Sequence, residues 1–497
     1  MTENSFREGT WGDIGNGYFK NPVINADYSD PDVIRVKNDF YMVCSEFHFM
    51  GMPVLHSKDL VNWTIIGQVY NRLNIDIKYD NMDGYGKGSW APALRYHNEL
   101  FYVFFCTPGE GLYMSTAENP GGPWSPIHEV KRVERWEDPC PFWDDDGTAY
   151  LGHSKVGAGP IIIHKMSPDG RTLLDEGVTV YTGPVAEGTK IYKRNGFYYL
   201  SIPEGGVTNG WQTVLRSKNI YGPYERKIVL EQGSTNINGP HQGALVELES
   251  GETWFMHFQD AGTIGRVCHL QPAIWIEDWP LIGYGGEPVL ICDKPDVGTE
   301  YPICTPQTSD DFNDSALGYQ WQWNHNPFDS GWSLEERPGF LRIKAFPAAD
   351  VLHARNTLTQ KLMGERGTAV LRLSSENMNA GQTAGLVHLG SERPNWIGVV
   401  KDESRCRISS CIQGISYSGP VINDSAVWFR TDIDLKGSTY LSYSFNGIDF
   451  IRFGCECKLK NGFWKGSRLG LFTYGNSGGY ADFDWFRYEY EGPYRRC

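Results

Sequence analysis

No apolar run in this 497-residue chain approaches the roughly eighteen consecutive residues that a membrane-spanning helix needs. A helical membrane anchor is therefore excluded within it. The opening residues, Met1 to Arg7, lack the apolar core of a secretion signal, so the chain reads as soluble, and either cytoplasmic or secreted with a leader already removed. Basic clusters are also missing. With 45 Lys and Arg against 60 Asp and Glu, the net charge is −15, and nothing offers the basic face that nucleic-acid phosphates require. The 11 cysteines are odd in number and scattered, with no CxxC pair and no His at zinc spacing, which argues against a disulfide framework or a zinc site. Cys44 and Cys106 sit inside apolar runs and read as small buried hydrophobes.

What the chain has instead is 14% aromatic residues, 17 Trp and 27 Tyr among them, and 57 glycines. That combination suits many short strands joined by tight turns, an all-β protein. The length implies two domains, or one large repeat domain with an appendage.

An internal repeat of about fifty residues occurs five times. Asp30 leads into Val33-Ile-Arg-Val, a turn at Asn38-Asp39 and Phe40-Tyr41. Trp90 leads into Ala93-Leu-Arg-Tyr, Asn98-Glu99 and Phe101-Tyr102. Asp138 precedes Pro141-Phe-Trp and Asp146-Gly147; Glu187 precedes Ile191-Tyr and Asn195-Gly196; His241 precedes Ala244-Leu-Val and Ser250-Gly251. Asn-Gly and Asp-Gly between strand-like runs are strong hairpin signals, because both turn residues must accept positive φ. Further strand material follows each hairpin, as in Gly111-Leu-Tyr-Met-Ser and Thr213-Val-Leu-Arg-Ser. Four strands per unit make a propeller blade. Residues 1–300 are thus expected to form a five-bladed β-propeller whose leading residues, Asp30, Trp90, Asp138, Glu187 and His241, converge on the central axis.

Residues 301–310 form a Pro-containing linker, and 311–497 carry alternating segments such as Thr368-Ala-Val-Leu-Arg-Leu and Leu469-Gly-Leu-Phe-Thr-Tyr. Period two with frequent turns predicts a β-sandwich of the jelly-roll, concanavalin-like kind. Asp311 and Asp482, near its two ends, are candidate ligands of a structural Ca²⁺.

Three carboxylates brought to one channel suggest acid–base chemistry. Cleaving a glycosidic bond needs one carboxylic acid to protonate the leaving oxygen and another to activate water or attack the sugar. A third carboxylate beside the acid opposes its ionisation. Asp before Pro also caps turns, but that role does not account for an acidic set at the head of separate repeats.

These residues carry a resemblance over nearly the whole chain. Ser29-Asp-Pro-Asp-Val-Ile-Arg-Val, Val54-Leu-His-Ser-Lys-Asp-Leu-Val-Asn-Trp, Trp90-Ala-Pro, Glu137-Asp-Pro-Cys-Pro-Phe-Trp-Asp-Asp-Asp-Gly and Ala186-Glu-Gly-Thr-Lys-Ile-Tyr-Lys resemble the segments of glycoside hydrolase family 43. The family comprises β-xylosidases, α-L-arabinofuranosidases and arabinanases. Ser29 stands where the family usually has Pro, and Thr189 likewise. The resemblance implies Asp30 as general base, Glu187 as general acid and Asp138 as the residue that tunes and orients the acid. It implies inversion of configuration, an exo-acting β-xylosidase or α-L-arabinofuranosidase or both, and a xylan-type oligosaccharide or polysaccharide as partner. His241, in Gly239-Pro-His-Gln-Gly, resembles an axial His that holds Ca²⁺ in some members, and Arg266 resembles an Arg that contacts sugar hydroxyls. Phe49 and Trp90 are candidate sugar-stacking walls, with core packing as the alternative. No organic cofactor is implied. An endo-arabinanase, an invertase-type fructosidase and a non-catalytic glycan-binding propeller remain the competing readings; oligomeric state is not legible.

Overall fold

The computed structural model describes residues 12–492 apart from residue 477. The opening heptapeptide and Cys497 lie outside the described residues. The only α-helix among them is the single turn Lys78–Asn81. The ten cysteines described are all free.

Five four-stranded antiparallel sheets follow one another along the chain. Blade 1 is Asp32–Val36, Asp39–Val43, Pro53–Ser57 and Trp63–Gln68; blade 2 is Trp90–His97, Leu100–Thr107, Gly111–Ala117 and His128–Arg132. Blade 3 is Trp136–Trp143, Ala149–Lys155, Ile161–Met166 and Val178–Tyr181; blade 4 is Lys190–Arg194, Phe197–Glu204, Trp211–Ser217 and Glu225–Leu230. Blade 5 is His241–Glu247, Thr253–Asp260, Arg266–Ile276 and Trp279–Ile282. The hairpins turn where Asn-Gly chemistry allows: Asn195 and Gly196 have φ of 51° and 70°, Asn98 and Glu99 48° and 63°.

The first strands of blades 1 to 4 touch in succession, and that of blade 5 packs against the second strand of blade 4 and returns to the first strand of blade 1. A clasp closes the ring. The Asn21 side chain donates to Leu270 O and accepts from Leu270 N–H, both at 2.8 Å. Strands Asp13–Gly15 and Tyr18–Lys20 also join Ile291–Asp293, after blade 5, in a small sheet.

The second domain is two seven-stranded sheets face to face. In Arg366–Ser374 and Ala426–Asp434 buried and half-buried residues alternate along the strand, the pattern of a sheet covered on one face. Leu371, Leu373, Phe429, Leu386, Ile397, Leu469 and Phe483 fill the space between the sheets. The bridge between Asp310 and Phe486 joins the sandwich's beginning to its end.

The expected structural Ca²⁺ in the sandwich is corrected by what Asp311 and Asp482 touch. Arg342 holds Asp482 from two nitrogens, at 2.7 and 3.0 Å, and Arg337 adds a third contact at 3.0 Å. Asp311, half exposed, pairs with Arg487. Guanidinium groups already neutralise both carboxylates, and the two do not meet in a cluster of cation ligands.

A buried charge network fastens the sandwich to the propeller. Glu46, after the second strand of blade 1, accepts from Lys361 at 2.5 Å and from Arg468 at 2.8 Å, both on one sandwich sheet. Asp27 pairs with Lys465 at 3.2 Å and accepts from Gly466 N–H at 3.0 Å. All five charged side chains are buried. Burial alone would raise Glu46 and Asp27, but the surrounding Lys and Arg charges outweigh it and hold both below their ordinary range. Burial also pushes Lys361 down to about 7, despite Glu46.

Removing one partner strands the others in a low-dielectric seam. Glu46→Gln or Lys465→Met is expected to cost about 3–5 kcal/mol, read by urea unfolding. Both carboxylates have lowered folded pKa values, so their contribution is fully present above the ordinary carboxylate range and disappears as the pH falls through it. Acid unfolding of Glu46→Gln should therefore be less steep than that of the parent.

Candidate active site

One distortion repeats at the head of every blade. Between Trp90 and Ala93, Glu137 and Cys140, and His241 and Gly243, the first strand slips by a residue against the second. In blade 1 Ser45 N–H bonds Ser29 O while Asp32 faces Val43, and in blade 4 Glu187 N–H bonds Pro203 O while Lys190 faces Ser201. Three residues thus oppose two, a β-bulge that re-aims side chains. Each bulge contains a residue with positive φ: Asp30 at 56°, Ala91 at 38°, Asp138 at 57°, Gly188 at 65° and Gln242 at 40°. In the first three blades a Pro follows, and its missing N–H costs nothing where the ladder is already broken.

This shared bulge sets the true correspondence between blades. Ser29, Trp90, Glu137, Glu187 and His241 are equivalent, and so are Asp30, Ala91, Asp138, Gly188 and Gln242. The repeat read from sequence, which equates Asp30, Trp90, Asp138, Glu187 and His241, is shifted by one residue in blades 1 and 3. Alignment on the carboxylates misses this; alignment on Pro31, Pro92 and Pro139 would reveal it and would have singled out Glu137.

The two rings of residues meet around the mouth of the channel. Asp30 accepts from Ser29 Oγ at 2.7 Å, Ser45 Oγ at 2.6 Å and Arg266 Nη1 at 3.1 Å. Arg266 also donates to Ser29 Oγ at 2.9 Å and lies over the Phe258 ring. Asp138 accepts from Ser154 Oγ and Gly188 N–H, each at 2.7 Å, and from Gln242 Nε2 at 3.0 Å. Blade 3 is thereby tied to blades 4 and 5. Glu187 Oε1 shares a 2.9 Å hydrogen bond with His241 Nε2.

Oxygens of Glu137, Asp138 and Glu187 lie within 4.8 Å of one another. Among the described residues no Lys or Arg forms an ion pair with any of the three. Burial first, then the charges of Asp138 and Glu187, push the Glu137 carboxyl well above the usual range. Burial and the charge of Glu187 likewise push Asp138 up, against the Gly188 N–H and Ser154 hydroxyl that favour its ionised form. Glu137 and Asp138 therefore hold protons at pH values where ordinary carboxylates have lost them.

Trp90 forms part of a wall. Its Nε1 donates to Gly86 O at 3.2 Å, and its ring meets Phe47 edge-on at 5.5 Å and Trp464 at 6.0 Å. Trp464 belongs to the sandwich, is 58% exposed, and has φ of 67°. Neighbouring Lys465, anchored in the charge network, holds this loop over the propeller. Sequence reasoning missed Trp464 because nothing local links residue 464 to residue 90.

Phe49 is not brought into this wall, and its expected role as a sugar-stacking surface is corrected. It is 3% exposed, lies under the Arg468 guanidinium at 3.6 Å and bridges by its backbone to Asn324. It belongs to the domain seam. His241, the candidate Ca²⁺ ligand, shares its Nε2 with Glu187, and its buried Nδ1 has no hydrogen-bond partner among the described residues. The one charged oxygen bonded to His241 is that of Glu187, whereas Ca²⁺ takes six to eight oxygens. His241 belongs to no group of three or more metal-binding side chains among the described residues. We assign it to Glu187.

A closed propeller carrying carboxylates on three blades around one mouth, with aromatic walls and an Arg, defines a carbohydrate-cleaving enzyme rather than a structural or nucleic-acid-binding propeller. Residues 19–280 match glycosyl hydrolases family 43, and residues 309–489 match the beta xylosidase C-terminal concanavalin A-like domain. The chain belongs to glycoside hydrolase family 43. It is 52% identical over 479 residues to a putative beta-xylosidase of Xylanibacter ruminicola, covering 93% of this chain and 88% of that protein. It is 31% identical to a non-reducing end alpha-L-arabinofuranosidase of Bacteroides ovatus, covering 79% of this chain and 77% of that one. The crystal structure of the family 43 protein BlXynB from Bacillus licheniformis superposes with a TM-score of 0.84 at 28% identity, over 95% of this chain and all of that one.

Two outcomes follow from the geometry. Gly188 has φ of +65°, and a Cβ there would stand 2.5 Å from Pro203 Cδ. Gly188→Ala should lose at least about 1 kcal/mol in thermal unfolding, and activity should fall with it as the N–H leaves Asp138. The second concerns pH. A carboxyl raised on folding binds a proton that the unfolded chain has already lost, so stability falls as pH rises above the ordinary carboxylate range. Glu137→Gln should flatten that decline in melting temperature from about pH 5 to about pH 9.

Proposed function

We propose that the chain is an exo-acting, inverting pentosidase that releases xylose, arabinose or both from the non-reducing ends of xylan-type oligosaccharides. The observation that carries this reading is the pairing of two differently furnished carboxylates around one mouth. Every polar group facing Asp30 donates to it, so Asp30 is oriented as an acceptor, the role of a base that takes a proton from water. Glu187 is held by His241 beside two further acids, the setting of an acid that delivers its proton to the glycosidic oxygen. Asp138, fixed by donors from three blades, is the group that orients and tunes Glu187. Arg266, bonded to Asp30 and half-buried at its side, is placed to reach sugar hydroxyls next to the attacked carbon.

The Trp464 loop supports exo action. A wall contributed by the second domain narrows the mouth to a pocket, whereas an endo-acting enzyme needs a cleft open at both ends. The names of the relatives favour β-xylosidase, with arabinofuranosidase beside it; the two sugars present similarly placed hydroxyls.

Purified protein should hydrolyse p-nitrophenyl β-D-xylopyranoside or α-L-arabinofuranoside, equally with EDTA or added Ca²⁺. Loss with EDTA that Ca²⁺ restores would reinstate an axial metal. Glu187→Ala and Asp30→Ala should each lower kcat/KM by about 10²–10⁴-fold or more. Proton NMR should show the anomer opposite to the substrate's as first product; retention would refute the mechanism. Trp464→Ala should raise KM with kcat little changed, the sign of lost binding common to ground and transition states.

A further inference from the structure

Glu137 is the one acid at the mouth to which the three-carboxylate mechanism gives no task. It occupies in blade 3 the place that Glu187 holds in blade 4 and His241 in blade 5, so the same bulge aims its side chain at the mouth. It is 6% exposed, lacks a cationic partner among the described residues, and makes one long hydrogen bond, 3.4 Å from Ala158 N–H to Oε1. Elsewhere in this protein buried acids are matched with cations: Asp32 with Arg95, Glu46 with Lys361 and Arg468, and Asp27 with Lys465. Leaving a buried carboxyl between two others costs stability that a neutral residue would avoid.

The direction of the side chain separates it from Asp138. Asp138 turns sideways, to Gly188 and Gln242 of the next two blades. Glu137 leans to Ala158, in the loop between the second and third strands of its own blade. That loop lies at the end of the blade where the first strand begins, the mouth end. Glu137 thus stands beside Glu187 at the mouth end, on the blade between that of Glu187 and that of Trp90.

We propose that Glu137 is a specificity-determining residue that hydrogen-bonds a hydroxyl of the leaving sugar, making the enzyme select a saccharide over an apolar leaving group. This rests on the glycosidase reading above. A carboxyl that keeps its proton between Asp138 and Glu187 offers an O–H donor as well as an acceptor, which a sugar hydroxyl can use from either side. An aryl leaving group has no hydroxyl at that position and gains nothing from the contact.

The test compares β-1,4-xylobiose with p-nitrophenyl β-D-xylopyranoside for the parent, Glu137→Gln, Glu137→Leu and Glu137→Ala. Glu137→Leu and Glu137→Ala should lower the ratio of kcat/KM for xylobiose to kcat/KM for the aryl xyloside about tenfold, the scale of one hydrogen bond. Glu137→Gln, which keeps a donor and an acceptor, should keep the parent's ratio. Glu137→Ala only opens space, so it carries the comparison if the leucine variant fails to fold. Equal losses on the two substrates, or a change confined to the pH profile, would overturn the assignment and make Glu137 a neighbour acting through Glu187. A parent enzyme inactive on xylobiose and on both aryl pentosides would refute instead the function on which it rests.

Discussion

The recurrent bulge at the head of each blade is the constraint on which the site depends. Three residues on the inner strand are set against two on its neighbour, and the ladder can absorb the extra residue only if one of them takes positive φ. That residue and the one before it then point in different directions from the same strand end. A single deformation, repeated five times by the propeller, yields two concentric sets of side chains. The inner ends of five strands become a pocket holding Asp30, Glu137, Asp138, Glu187 and His241, although no two of the blades concerned share a catalytic segment. Positive φ is tolerable for Asp and free for Gly, which is why Asp30, Asp138 and Gly188 occupy those positions without help.

Such a ring repels itself, and the protein handles its acids in two ways. Around Glu46 and Asp27, three cations outweigh the burial penalty and lock the sandwich against blade 1. Around Glu137 and Asp138 no Lys or Arg answers, so protons do. The first arrangement contributes stability, and the second retains acids in a form that can donate. The two regions are linked through the chain. Lys465 sits in the charge network while its neighbour Trp464 reaches the Trp90 wall, and Arg266 donates its backbone N–H to Asp27 while its side chain holds Asp30. The second domain is part of the pocket's construction.

Much of this was legible in the chain itself. Turn residues at Asn195-Gly196 and Asp146-Gly147, aromatic second strands and the fifty-residue spacing specified hairpins and then blades, because turn chemistry and period-two burial are local properties. They also placed Asp30, Asp138, Glu187 and Trp90 around one mouth, and the family resemblance added Arg266. What was not legible depended on partners distant in sequence. Phe49 looks like any aromatic beside a propeller mouth until Arg468 of the sandwich covers it. Asp311 and Asp482 look like paired cation ligands until Arg487, Arg337 and Arg342 arrive from other strands.

The sequence by itself determined the all-β class, the five-fold repeat, the appended sandwich and the identity of the acids, since each follows from composition, turn chemistry or spacing along one strand. Only the tertiary structure decided which of two adjacent residues in each blade faces the pocket. Register is a property of two paired strands, and a slip of one residue exchanges the faces of every side chain beyond it. Glu137 was hidden by that single residue of slip, and Trp464 by the 374 positions that separate it from Trp90.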